Sequence, residues 1–376
     1  MSINENFPFI RFGSGLALVG LSIAAMMWMS QVLATNEFNA SYTDLGIMGA
    51  LRSILYIVLP FLIGYILHRV NKKYALTLSA VFMSLSSLTL AFSKDLLGVF
   101  LSQVVFGAAL VFYWPVAEAL LADVFKPEER LRAFGKYSAA CSLGFMLGAI
   151  FGGVVGQLIG LRSMFMLSAI ISAAAIPPLL GLKVSGYSNT KPKAISISFF
   201  TALIPAYVLT LPFTATLASV LALVPGYAAN IGFVELEIGL MSVPMWFFRV
   251  VASIYLAMRP PKNMFHVLLL VGFMMGGPLI LNAFIPGYPT MILLLILVGT
   301  SASIFYAVIF YIVSAVASER PEVAIGGFES MIGIGFFVGP PISGALADML
   351  GISNLFLLLA AASLAAGMAS SVFRQR

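Results

Sequence analysis

Gly144-Phe-Met-Leu-Gly148-Ala-Ile-Phe-Gly152-Gly153-Val-Val-Gly156-Gln-Leu-Ile-Gly160-Leu161 has a partner further along the chain. It is Gly335-Phe-Phe-Val-Gly339-Pro340-Pro341-Ile-Ser343-Gly344-Ala-Leu-Ala347-Asp-Met-Leu-Gly351-Ile352. Small residues recur every fourth position in both. Residues four apart lie nearly above one another on a helix, so each ladder makes a smooth groove down one helix. Both end alike, Gly160-Leu161 followed by Phe165 and Gly351-Ile352 followed by Phe356. The offset of 191 is close to half of the 376 residues. Two structural repeats that fold alike are the simplest cause.

Composition places these repeats in a membrane. Hydrophobic residues make up 61% of the chain and charged residues 9%, with mean hydropathy +1.05, whereas ordinary soluble domains are about 25% charged. Apolar runs of spanning length occur near 12–34, 45–67, 74–92, 96–121, 133–159, 163–182, 197–224, 238–258, 264–285, 290–316, 323–347 and 352–373. The first run is too long, and its head too poor in basic residues, for a signal peptide. The predicted fold is therefore all-α: twelve transmembrane helices in two pseudo-symmetric six-helix bundles. Residues 1–182 form the first bundle and 195–376 the second. The polar, basic segment 183–194 reads as a cytoplasmic linker. No soluble domain is expected beside them.

Lys and Arg fix the orientation. Sixteen fall on one side of the predicted spans; only Lys94 and Arg162 fall on the other. A multi-pass cell-membrane protein with both termini cytoplasmic is expected. The net charge of +6 is thereby absorbed by short loops, so no nucleic-acid partner is expected. The single cysteine, Cys141, permits no intrachain disulfide. Without a Walker A, HExxH or GxSxG motif, the chain reads as neither an enzyme nor a holder of metal or cofactor.

The loop after the second span reads Gly64-Tyr-Ile-Leu-His68-Arg69-Val-Asn71-Lys72-Lys73. It resembles the G-x-L-A-D-R-x-G-R-K signature of the major facilitator superfamily, with His68 for the usual Asp and Asn71 for the second Gly. Asn tolerates a left-handed turn better than other non-glycine residues, which makes the second change mild. His68 offers a group that titrates near neutrality. Ala122-Asp123-Val-Phe-Lys-Pro127-Glu128-Glu129-Arg130 is similar to the family's loop after span four, and the ladders to its fifth-span glycine motif. The fourth-span arginine of the family's drug antiporters is Gln103 here. The resemblance implies two bundles rocking about a central site, with a small-molecule substrate and membrane lipid as partners. It also implies a cytoplasmic gate of Gly64, Arg69, Lys72, Lys73, Asp123 and Arg130. A monomer is expected.

Four ionisable residues fall within spans: Arg52, Glu118, Arg249 and Glu329. Each costs about 2.5–3.5 kcal/mol there unless paired or facing a cavity, so all four are candidates for substrate or coupling roles. Aromatic and polar side chains in spans one, four, seven and ten form the candidate cavity lining. They are Trp28, Gln31, Tyr113, Trp114, Tyr207, Tyr306 and Tyr311. Aromatic walls with few polar points suit amphipathic molecules. Gly144, Gly148, Gly152, Gly335 and Gly339 are expected where the bundles meet, span five on span eight and span eleven on span two. The leading expectation is a secondary transporter that exports amphipathic compounds against protons. The alternative is an anion carrier using Arg52 and Arg249, an arrangement similar to the paired arginines of nitrate and nitrite porters. A receptor or scaffold is the third, disfavoured by the two-fold repeat.

Overall fold

The structure, a computed structural model, describes residues 7–66, 71–125, 127–182, 203–258, 263–316 and 321–373. Among the described residues every long apolar run is a helix, as lipid demands of a backbone that must satisfy its own polar groups. Spans one to six are Phe9–Phe38, Tyr42–Ile66, Lys72–Ala91, Leu96–Val124, Pro127–Ile159 and Leu161–Ala174, the last continued by a short helix, Ile176–Leu180. Spans seven to twelve are Ile204–Asn230, Glu235–Met258, Met264–Phe284, Tyr288–Val316, Pro321–Leu350 and Ile352–Ala369. Eleven of these are long and apolar enough to cross a membrane, and span two adds a further helix of 25 residues. The linker at 183–194 lies outside the described residues.

Boundaries differ from the sequence reading where proline suggests a stop. Span seven runs through Pro225 to Asn230, six residues past its predicted end. It is buried as far as Ala228, where neighbouring helices tolerate a missing backbone donor. Spans five and eleven both begin at a proline followed by glutamate. That pair suits the first helical turn, which lacks a backbone acceptor for its N–H groups and favours negative charge.

The chain divides into two compact units. One holds residues 1–38, 51–192 and 229–240; the other holds 39–50, 193–228 and 241–376. The start of span two thus belongs with the second unit, and the start of span eight with the first.

In the first unit span one lies against the glycine ladder of span five. A Cβ at Gly144 would come within 2.5 Å of the Ala17 carbonyl oxygen, and one at Gly148 within 2.8 Å of the Leu21 backbone. Gly152 lies over Ala25 and Met29. In the second unit Gly335 lies against Thr214, and a Cβ at Gly339 would come within 2.6 Å of the Ala215 Cα, both on span seven. The sequence reading sets these five glycines against spans eight and two. They are instead the seats of spans one and seven, each largely buried along its length. Van der Waals packing rather than water drives helices together in lipid, so small residues mark any close crossing, including those inside a bundle.

Hydroxyls tie the remaining helices. Ser22 donates to the Ser168 carbonyl at 2.9 Å, and Ser172 to Ser22 at 3.0 Å, joining spans one and six. Ser219 and Ser343 meet at 2.8 Å between spans seven and eleven. In the first unit Arg162 binds Glu37 at 2.7 Å and donates to the Ala91 and Ser93 carbonyls, tying spans one, three and six. Gly160 and Gly351 cap spans six and twelve with nearly identical angles, φ 87 and φ 86. The left-handed backbone explains why both repeats keep glycine there.

Candidate functional site

In the first unit Arg52 is buried. Its Nε donates to Gln103 Oε1 at 3.2 Å, and its guanidinium lies 5.2 Å from the Phe106 ring centroid. Gln103 occupies the fourth-span position where the resemblance leads one to expect arginine, so the buried cation stands on span two and its amide partner on span four. Arg52 Nη2 is buried without a hydrogen-bond partner. Span one contributes Trp28, Gln31 and Thr35, spaced by three and four and so on one helix face. All three are buried. Trp28 Nε1, Thr35 Oγ1 and both amide atoms of Gln31 have no partner. Stranded polar atoms in a packed interior are costly, and a folded chain keeps so many together where a ligand or water meets them.

Tyr113 does not join that face. Its hydroxyl donates to the Leu16 carbonyl at 2.8 Å and touches Cys141 Sγ at 3.2 Å, so it braces span four against spans one and five. Trp114 stacks edge-on to Tyr113 and tilts over Phe145. Glu118 is half-buried, within electrostatic reach of Tyr137 and Cys141.

The second unit gathers Glu329, Tyr306 and Arg249. Tyr306 donates to Glu329 Oε1 at 2.5 Å. Arg249 lies over the Trp246 ring at 5.6 Å and within electrostatic reach of the same tyrosine. Glu329 therefore turns into its unit, as a charge in an apolar helix must. Tyr207 is buried with its hydroxyl against Gly327 of span eleven, and Tyr311 is exposed.

Arg249 is not the counterpart of Arg52. The start of span two, Asp44-Leu45-Gly46-Ile47-Met48-Gly49, returns at span eight as Glu237-Ile238-Gly239-Leu240-Met241-Ser242. The offset of 193 pairs Arg52 with Met245. Both place their carbonyl oxygen against a glycine: a Cβ at Gly107 would come within 2.5 Å of the Arg52 oxygen, and one at Gly299 within 2.8 Å of the Met245 oxygen. Arg249 lies one turn further along span eight, roughly 6 Å deeper.

Of the residues expected to form a cytoplasmic gate, Arg69 lies outside the described residues with its neighbour His68, as do the surroundings of Gly64 and the side chains of Asp123 and Arg130. Lys72 and Lys73 open span three, Lys72 being buried. Asn71 caps that helix, its side chain accepting from the Lys73 N–H at φ −66. It stands there as a helix cap, not as a left-handed turn residue.

The repeat at spans two and eight also marks two caps that the ladders alone do not reveal. Asp348, in the last turn of span eleven, accepts from the Tyr42 and Thr43 N–H groups at 3.0 and 2.8 Å and from the Thr43 hydroxyl at 2.6 Å. Its repeat mate Gln157 accepts from the Leu236 N–H of span eight at 3.3 Å. Beneath each cap the helices cross on glycine. Gly46 faces the Pro340 backbone and Gly344 that of Tyr42; a Cβ at Gly239 would come within 2.6 Å of the Ala149 oxygen and one at Gly153 within 2.8 Å of the Glu235 oxygen. A carboxylate at a helix N-terminus adds charge to the cap. Asp348→Ala is expected to cost about 1–2 kcal/mol and Gln157→Ala less than about 1, read by thermal unfolding in detergent. A larger loss for Gln157→Ala would contradict this ranking.

Residues 12–320 match the profile of the Major Facilitator Superfamily. The chain belongs to that superfamily. Its members transport small molecules, and this chain is a multi-pass membrane protein of that transporter family, which is not a family of enzymes. It is similar to the quinolone resistance protein NorA of Staphylococcus aureus strain MSSA476, 23% identical over 322 residues that cover 83% of each chain. It is also similar to multidrug resistance protein 1 of Bacillus subtilis strain 168, 28% identical over 148 residues, 39% of this chain and 38% of that one. Among solved structures, the nucleoside transporter NupG has the same superfamily fold, with TM-score 0.77 over 97% of this chain and 99% of that one at 12% identity.

Proposed function

We propose that this superfamily member exports amphipathic organic molecules across the cell membrane in exchange for protons, as a monomer with both termini in the cytoplasm. The observation that carries the reading is the carboxyl group of Glu329, set in an apolar span and bonded to Tyr306. A carboxyl group that gains and loses a proton between the two faces is what exchange requires, and ionisable residues on such spans mark ion pathways. Similarity to proteins named for quinolone and multidrug resistance supports the outward direction. Trp28 and Gln31 supply the aromatic wall and polar points that an amphipath needs. The anion carrier built on two matched arginines has less support, because the counterpart of Arg52 is Met245.

The test uses proteoliposomes with dansylglycinamide and dansylglycine as fluorescent probes. A pH gradient is expected to drive accumulation of at least one probe, and a protonophore to abolish it. If neither probe moves with the gradient, the exporter reading is overturned.

A further inference from the structure

Arg52 is a buried cation in neutral company. It is 7% exposed, and its contacts are the Gln103 amide oxygen and the Phe106 ring. Gln103 donates its own amide to Ser102 Oγ at 3.3 Å, which leaves its oxygen for Arg52 Nε. Nη2 has no partner. Of the acids on the first unit's spans, Glu118 follows Gln103 on span four by about fifteen residues, roughly 22 Å along the axis, Glu37 pairs with Arg162, and Glu237 accepts from the Val234 N–H. Asp44, on span two itself, spends its carboxylate on Ser41. Among the described residues no carboxylate pairs with Arg52.

A charge held in this way is strongly unfavourable unless something of opposite sign meets it during the working cycle. We propose that Arg52 anchors a single carboxylate carried by the amphipathic substrate, a proposal that rests on the exporter reading. The Nε edge of the guanidinium is fixed by Gln103. The remaining N–H groups form the planar fork that matches two carboxylate oxygens. One cation balances one negative charge, so a monoanion fits where a dianion leaves charge unpaired. Gln31 stands about seven residues below the outer end of span one, and Gln103 about seven residues into span four, so both lie at similar depth in the same unit. The unpartnered atoms of Trp28, Gln31 and Thr35 then serve the neutral polar groups of the same molecule.

The test compares binding of dansylglycine, its neutral amide dansylglycinamide, and the dansyl aminoethyl phosphate dianion to the full chain in nanodiscs. Dansylglycine is expected to bind tighter than the amide by roughly tenfold or more, as a hydrogen bond to a charged group predicts. Arg52→Gln is expected to remove that preference, and Arg52→Lys to retain part of it. Should Arg52→Gln fail to fold, the wild-type acid-to-amide ratio and Arg52→Lys still decide. Equal affinity for acid and amide, tighter binding of the dianion, or a preference that survives Arg52→Gln overturns the proposal. Carboxylate-selective binding without gradient-driven transport leaves the anchor standing and removes the exporter. Gradient-driven movement of the amide alone does the reverse.

Discussion

Glu329→Gln is expected to keep substrate binding and lose the response to a pH gradient. The substitution preserves the size of the side chain and an oxygen that accepts from Tyr306, whose bond to Glu329 is 2.5 Å in the native chain. It removes the ability to carry a proton. One coupled proton supports at most about tenfold accumulation per unit of pH difference, so the accumulation ratio should fall from that range to near one. Binding of the probe in nanodiscs, measured in parallel, separates lost coupling from lost folding. A Gln variant that still concentrates substrate on a pH gradient alone makes Glu329 a structural partner of Tyr306. Wild-type transport indifferent to the gradient removes proton exchange altogether.

The spans are legible because hydrophobic length is a property of the sequence, and positions such as Gly160 and Gly351 because backbone angle restricts residue type. The direction in which a ladder faces is not legible. Gly148 and Gly153 are both glycine for the same reason, close approach, yet one lies on span one and the other on span eight. Only the second repeat, Asp44 to Gly49 against Glu237 to Ser242, distinguishes them. It shows which residues of spans two and eight share a depth. That register also separates Arg52 from Arg249, which a count of spans alone pairs. The swap of a buried arginine from span four to span two is half visible: Gln103 stands out as a missing charge, and Arg52 as an extra one. Their contact needs the fold. Unpartnered atoms on Trp28, Gln31 and Thr35 are beyond sequence reasoning, because a spacing of three and four marks a face without showing what meets it.

Gly148→Leu is expected to eliminate the folded protein, not merely slow its cycle. On sequence grounds the ladder is expected where the bundles meet, a place where bulk would hinder transport more than folding. The structure seats Gly148 on the Leu21 backbone, with the Leu21 carbonyl carbon and Cα both 2.8 Å from the place a Cβ would occupy. Backbone atoms have no rotamer to escape into, so even alanine forces spans one and five apart. Span one is largely buried along its length, and overpacking in a tight core costs about 1–3 kcal/mol for small insertions and more for larger ones. Gly148→Ala should therefore lower the unfolding temperature in detergent clearly, and Gly148→Leu should leave little protein in the membrane fraction. Gly277 in span nine supplies the opposite sign, since no atom lies within 4 Å of a Cβ added there. Glycine costs a helix about 1 kcal/mol relative to alanine, so Gly277→Ala should be neutral or stabilising by up to that amount. Both variants remove one glycine from an apolar helix, so propensity alone would move them in the same direction. A Gly148→Ala protein as stable as Gly277→Ala would mean that the close seat of span one on span five is not what holds the first unit together.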